Sequence, residues 1–159
     1  MEDLIERVRK NLEPDLGSAE QEWELLTDLL KGTTTYRYDI FKWVFIEHQG
    51  YTRTRAWAGR EVFQANAEEG WKAISHLLSS KDPDDRETAL MTIKTFNDPR
   101  VPLIIKPLLY DPWPYIQFAA AEILKDIYPE EVKSVMQALQ THEEQWVRDS
   151  AEAMLKDMA

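Results

Sequence analysis

The stretch "LLYDPWPYIQFAAAEIL" (residues 108–124) joins a proline-containing turn to an alanine-rich segment. From Ile116 onward, apolar residues follow the i, i+3, i+4, i+7, i+8, i+11 spacing that is typical of an amphipathic helix: Ile116, Ala119, Ala120, Ile123, Leu124 and, just beyond the stretch, Ile127. Pro112 and Pro114 suit a turn and the first helical position. Small alanine side chains allow close packing against a neighbour, so the stretch predicts one half of a packed helical hairpin.

The same apolar pattern recurs along the chain with a step of 31 residues, which indicates an internal repeat. One column of the repeat holds Ala58, Ala89, Ala120 and Ala151. A second column holds Val62, Ile93, Leu124 and Leu155. A hairpin of about thirty residues cannot bury its apolar faces alone, so each copy must stack on its neighbours.

This stretch and "LQTHEEQWVRDSAEAML" (residues 139–155) resemble HEAT repeats, particularly the short bacterial type of the phycobilisome lyases. The Val-Arg step of that pattern is intact at Val147-Arg148, becomes Ile116-Gln117 one copy earlier, and keeps only the arginine at Arg55 and Arg86. The resemblance covers about residues 36–159. It implies an all-α fold, a right-handed α-solenoid of stacked helical hairpins, in which the arginine bonds the turn.

Residues 1–35 do not fit the period, and we predict that they form an N-terminal cap of two helices. Ser18 with Gln21 indicates a capping box at the start of the second helix, and Gly32 indicates its end. Residues 36–159 then hold about four repeats of about 31 residues in a single continuous domain. About ten helices and no sheet are expected.

Composition narrows the range of partners. The formal net charge is −10, from 29 acidic and 19 basic residues, so nucleic acid and anionic membranes are disfavoured and a basic protein surface is favoured. The chain has no cysteine, which excludes disulfides and thiol catalysis. It shows no signal peptide and no run of about 20 apolar residues, so we expect a soluble, cytoplasmic protein.

No constellation for catalysis emerges from the sequence. Deoxyhypusine hydroxylase, an iron enzyme with similar repeats, carries His-Glu pairs inside its helices, but the position after Val147-Arg148 holds Asp149-Ser150. The pair His142-Glu143 falls in a turn without a second histidine in register. The paired glutamates at 68–69, 130–131 and 143–144 suit the first turn of a helix, where the dipole favours negative charge. We therefore expect a non-enzyme without metal or cofactor.

Two sets of residues are candidates for partner binding. In solenoids of the resembled type the second helix of each hairpin lines a concave groove, and large apolar side chains exposed there indicate an interface. The predicted groove set is Arg60, Phe63, Leu90, Met91 and Phe118. The predicted set along the turn edge is Trp113, Tyr115 and Trp146, of which Tyr115 and Trp146 lie one repeat apart. For both sets, packing between repeats is the alternative.

These observations favour a non-enzymatic protein–protein interaction module or scaffold that binds a partner protein on its groove and turn edge. One alternative is a lyase- or chaperone-type subunit that acts on a phycobiliprotein-like client. The other is an acidic immunity or inhibitor protein, which the net charge of −10 favours.

Overall fold

A computed structural model of the chain describes residues 2–12, 16–32 and 35–159, and within these ranges it contains α-helices and one 3-10 helix but no strand. The helices are α1 (Glu2–Leu12), α2 (Ala19–Leu29), α3 (Arg37–Ile46), α4 (Thr52–Ala65), α5 (Ala67–Leu78), α6 (Pro83–Ile93), α7 (Arg100–Ile105), α8 (Pro114–Leu124), α9 (Pro129–Leu139) and α10 (Gln145–Asp157). The 3-10 helix, Lys106–Tyr110, follows α7 directly. The predicted all-α fold is confirmed.

The chain divides into two compact units, Met1–Thr92 and Ile93–Ala159. In the N-terminal unit, α3 packs along α4 as a helical hairpin, α5 packs on α4, and α2 joins α1 to α4. In the C-terminal unit, α8 packs on the 3-10 helix, and α9 pairs with α10. The predicted division at residue 35 stays a prediction.

The repeat register explains which residues are buried. All four members of the alanine column are fully buried: Ala58, Ala89, Ala120 and Ala151. Val62, Ile93 and Leu124 in the second column are also fully buried. Ile127, which continues the same stripe in the sequence, is 49% exposed because α8 ends at Leu124. The predicted stripe of α8 is therefore one turn too long.

The arginine column bonds the turn before its own helix. Arg55 donates to the carbonyl oxygens of Phe45 and Ile46, each at 3.3 Å from Nη2. Arg86 Nη1 donates to Ser80 O at 2.9 Å, and Arg148 Nη1 donates to His142 O at 2.6 Å. Buried carbonyls need such donors. The resemblance implies that this arginine bonds the turn, and three copies of the repeat show that hydrogen bonding.

In the third copy a glutamine takes the arginine position. Gln117 Nε2 donates to Leu109 O at 3.1 Å, so the carbonyl before α8 still has a side-chain donor. The preceding helix is also irregular here: α7 ends at Ile105 and continues as a 3-10 helix. Pro107 lies inside that helix, and proline lacks the N–H that an α-helix needs.

A buried polar pair links α2 to the segment between α3 and α4. The Ser18 hydroxyl accepts from Gln21 N at 3.2 Å and begins α2 as predicted. On that helix, Glu22 Oε1 lies 2.7 Å from His48 Nε2, and both side chains are almost wholly buried. Burial raises the pKa of the Glu22 carboxyl, but hydrogen bonds from His48 and Thr54 outweigh it and hold the pKa below its ordinary value of 4.5. The folded N-terminal unit therefore favours an ionised Glu22.

Candidate partner-binding site

The turn before α8 fixes two aromatic side chains in place. Asp111 Oδ1 accepts from Trp113 N at 3.0 Å, and Pro114 then begins the helix. Tyr115, the second residue of α8, is half-buried, whereas Trp113 is 48% exposed. The Asp-Pro-Trp-Pro sequence thus places both rings at the N-terminal end of α8.

The start of α10 repeats this arrangement 31 residues later. Trp146 is the second residue of α10, as Tyr115 is of α8, and its side chain is 45% exposed. Its indole Nε1 donates to the carboxylate of Glu144, the residue just before the helix. Two equivalent helix starts therefore present an aromatic ring at the same edge.

Tyr115, Phe118 and Trp146 line one open hollow of about 530 Å³ in the C-terminal unit, here called the aromatic hollow. From α8 its lining residues are 115, 118 and 122, spaced i, i+3 and i+7 on one helix face. From α10 they include Ser150, Ala153 and Met154, one to two turns beyond Trp146. The volume lies within the range of ligand and peptide pockets.

The other end of the aromatic hollow is acidic. Two of the eight described residues that line the hollow are charged, Glu122 and Asp157, and none of the eight is Lys or Arg. Beside them, Lys125 Nζ lies 2.9 Å from Glu122 Oε1 and 2.7 Å from Asp157 Oδ2. Hydrogen bonding to Asp157, then to Glu122, raises the pKa of Lys125, and the same bond lowers the pKa of Asp157. Two carboxylates thus share one ammonium at the ends of α8 and α10.

The rings pair in a way that the sequence did not indicate. The Phe118 and Trp146 ring centroids are 6.1 Å apart, and those of Trp113 and Tyr115 are 6.2 Å apart, both tilted. These separations are typical of favourable aromatic pairs. Of the predicted turn-edge set, Tyr115 and Trp146 line the hollow together with Phe118 of the groove set, and Trp113 lies outside its lining.

The prediction that Leu90 faces a groove is wrong, because this side chain is 1% exposed. On α6 the buried residues Arg86, Ala89, Leu90 and Ile93 are spaced i, i+3, i+4, i+7. The same column holds Gly59 and Ala121, which are also buried. The buried face of these helices is therefore wider than the predicted stripe, and Leu90 belongs to the core.

The other groove residues of the N-terminal unit are engaged within the chain. Phe63 is half-buried, and its ring lies 5.2 Å from that of Trp71 in a T-shaped pair. A Cβ added at Gly70 would lie 2.6 Å from Phe63 Cγ, so the ring packs directly on that glycine. Arg60 Nη2 donates to Met91 O at 3.1 Å, and Met91 is half-buried. Arg60, Phe63 and Met91 thus all have contacts within the chain itself.

Sequence reasoning missed the part of the hollow that α10 contributes. Ser150, Ala153, Met154 and Asp157 follow Trp146 at i+4, i+7, i+8 and i+11, the spacing of one helix face. Once Trp146 was a candidate, this spacing could have predicted that these residues share its helix face. Glu122, one turn beyond Phe118, carries the same signal on α8.

The histidine and carboxylate candidates have local partners. His142 Nδ1 accepts from Glu144 N at 3.1 Å, inside the turn before α10. Glu68-Glu69 and Glu130-Glu131 lie in the first turns of α5 and α9, as predicted. The same prediction is wrong for Glu143-Glu144, because α10 begins only at Gln145. No three His, Asp or Glu side chains converge as a metal site within the part of the chain that the structure describes. No helix in the described ranges is long and apolar enough to cross a bilayer.

Comparison with known proteins identifies one relationship. The family model described as HEAT repeats matches residues 72–156, which is more than half of the chain. A search of curated proteins and a search of solved structures found no match.

Proposed function

Because the chain belongs to the HEAT-repeat family, we propose that it is a non-enzymatic interaction module that binds a partner protein in the aromatic hollow. HEAT repeats generally mediate protein–protein interaction. The single observation that carries the proposal is the convergence of Tyr115, Phe118 and Trp146 on one open hollow. Cytoplasmic action stays a prediction from the sequence.

The aromatic hollow has the composition of a binding hot spot. Trp and Tyr are enriched at such spots because they bury a large area at a small cost in side-chain entropy. Trp146 is 45% exposed, and its ring centroid lies 6.1 Å from that of Phe118. A partner side chain placed there would remove apolar surface of both rings from water.

Site-specific photocrosslinking tests this proposal. Benzoylphenylalanine is placed at Ala153, which lines the hollow, and in a matched control at Gln137, which is exposed on α9 outside the lining. In cells of the source organism, the Ala153 probe is expected to crosslink one defined protein that the Gln137 probe does not. Mass spectrometry identifies that protein and the crosslinked segment.

Binding of the purified pair then gives the decisive measurement. Trp146→Ala should weaken binding about thirtyfold, as loss of a hot-spot residue worth about 2 kcal/mol would. Tyr110→Ala is the matched control, since Tyr110 is an exposed aromatic residue of the same unit that does not line the hollow. Equal crosslinking at both positions, or equal loss with both variants, would contradict the proposal.

A further inference from the structure

The aromatic hollow combines two groups that together recognise a cation. Phe118 and Glu122 lie four residues apart on α8, so they are neighbours on one helix face. Aromatic faces attract cations through their quadrupole, and a carboxylate close by supplies a charge-assisted hydrogen bond. The hollow therefore offers a ring face with a carboxylate beside it on the same helix face.

The C-terminal unit already contains this arrangement with a cation of its own. Lys106 Nζ lies 4.5 Å from the centroid of the Tyr128 ring and 2.7 Å from Glu131 Oε2. Hydrogen bonding to Glu131 raises the pKa of Lys106, which shows that the pair favours the charged form. An aromatic ring and a carboxylate three residues apart in the sequence thus hold a cation in the same unit.

Charge around the aromatic hollow is negative in balance. Glu122 and Asp157 face the single ammonium of Lys125, which bonds one oxygen of each carboxylate. Glu122 and Asp157 are the two charged side chains among the residues that line the hollow, and against the one ammonium that bridges them they leave a net charge of −1. A neutral or acidic segment would leave that charge uncompensated, whereas a basic segment complements it.

From this geometry we infer that the aromatic hollow recognises an arginine side chain in a basic segment of the partner, an inference that rests on the proposed function. The guanidinium stacks on Phe118 or Trp146 and donates to Glu122. Arginine suits the site better than lysine because its guanidinium is planar, more weakly hydrated and able to stack while it donates. The Glu122 oxygen that Lys125 does not bond is the acceptor for the partner's donor.

The test uses N-acetyl-arginine methylamide as the probe and N-acetyl-citrulline methylamide as its neutral isostere. In an NMR titration of the 15N-labelled protein, the arginine compound should shift the Trp146 indole resonance and the amides around Phe118 and Ser150 saturably. The citrulline compound should bind at least tenfold more weakly, and the lysine analogue should fall between them. Molar salt should weaken the arginine compound, since it shortens the Debye length to about 3 Å.

Variants locate the interaction. Trp146→Leu and Glu122→Gln should each reduce the affinity for the arginine compound several-fold, whereas Tyr110→Leu, at an exposed aromatic residue outside the lining, should leave it unchanged. Citrulline binding as tight as arginine binding, tighter lysine binding, or shifts that avoid the Trp146 indole would each overturn the inference. If Ala153 crosslinks a partner through a segment without arginine, the inference falls and the proposed function stands. If the arginine compound binds but Ala153 captures no partner, the proposed function falls instead.

Discussion

Replacement of Arg55 by Met is expected to be the most destabilising change in the arginine column. The Arg55 side chain is 1% exposed, and its Nη2 lies 2.5 Å from Asp85 Oδ1 and 3.3 Å from Phe45 O. Methionine keeps much of the side-chain volume but removes every donor. Asp85, only 17% exposed, would then lose its cationic partner, and the Phe45 carbonyl would lose a donor.

The size of the loss follows from burial. Breaking a buried ion pair by removing one partner costs about 3–5 kcal/mol, because the remaining charge is left uncompensated. For a chain of 159 residues, each kcal/mol lowers the melting temperature by about 2–4 °C, so a fall of about 6–20 °C is expected. Urea unfolding followed by far-ultraviolet circular dichroism measures the free energy, and hydrogen exchange of the α4 amides places the effect in the N-terminal unit.

Arg148→Met is the matched control at the same repeat position. Arg148 bonds the carbonyls of His142 and Glu143, at 2.6 and 2.7 Å, but it is only half-buried. Its loss should cost about 1 kcal/mol, the net value of ordinary hydrogen bonds that water can replace. In the double variant with Asp85→Asn, part of the Arg55→Met loss should be recovered, since the uncompensated charge is gone. Equal losses for the two arginine variants would refute the reasoning.

Three further predictions concern side chains and one glycine of the N-terminal unit. Leu90→Ala should lower the free energy of unfolding by about 2–5 kcal/mol, because Leu90 is 1% exposed. Met91→Ala should lower it by less than half as much, because Met91 is half-buried. Equal losses in urea unfolding would contradict this difference in burial. Gly50→Ala should cost about 1–3 kcal/mol in the same assay, since an added Cβ would overlap both His48 Nε2 and Glu22 Oε1; a neutral effect would contradict it. The lowered pKa of Glu22 means that its ionised form stabilises the fold above its unfolded pKa of about 4.5, and that this contribution is lost as the pH falls through the lower folded value. The difference in stability between wild type and Glu22→Gln should therefore shrink on acidification below pH 4.5, and a difference independent of pH would argue against the assignment.

The repeat period was the strongest signal in the sequence, and it predicted the core well. Ala58 and Ala151 lie at opposite ends of the column and are both fully buried. Such positions are readable because an alanine that recurs at a fixed step is required by close helix packing, whatever surrounds it. For the arginine, the 31-residue step showed only that Arg55, Arg86 and Arg148 are equivalent, and the resemblance to HEAT repeats implied that they bond the turn.

Among the predicted groove residues, the structure contradicts the exposure of Leu90, because burial depends on the neighbouring side chains. A single-stripe pattern assigns Leu90 to the surface, but the helix buries a wider face, and Phe63 covers the bare backbone of Gly70. The packing of Phe63 on Gly70 produces no periodic pattern in a single sequence. Tyr115 and Trp146 were found because they occupy equivalent helix starts, while the pairing of Trp146 with Phe118 depends on three-dimensional distance alone.

The turn before α8 has a consequence for how fast a partner binds. Pro112 and Pro114 have fixed φ angles, and the Asp111 carboxylate holds the backbone of the tryptophan between them. This segment has little conformational freedom left to lose, so its ordering adds almost nothing to the entropic cost of association. Observed association rates should then rise linearly with partner concentration, without the plateau that a slow rearrangement of the edge would impose.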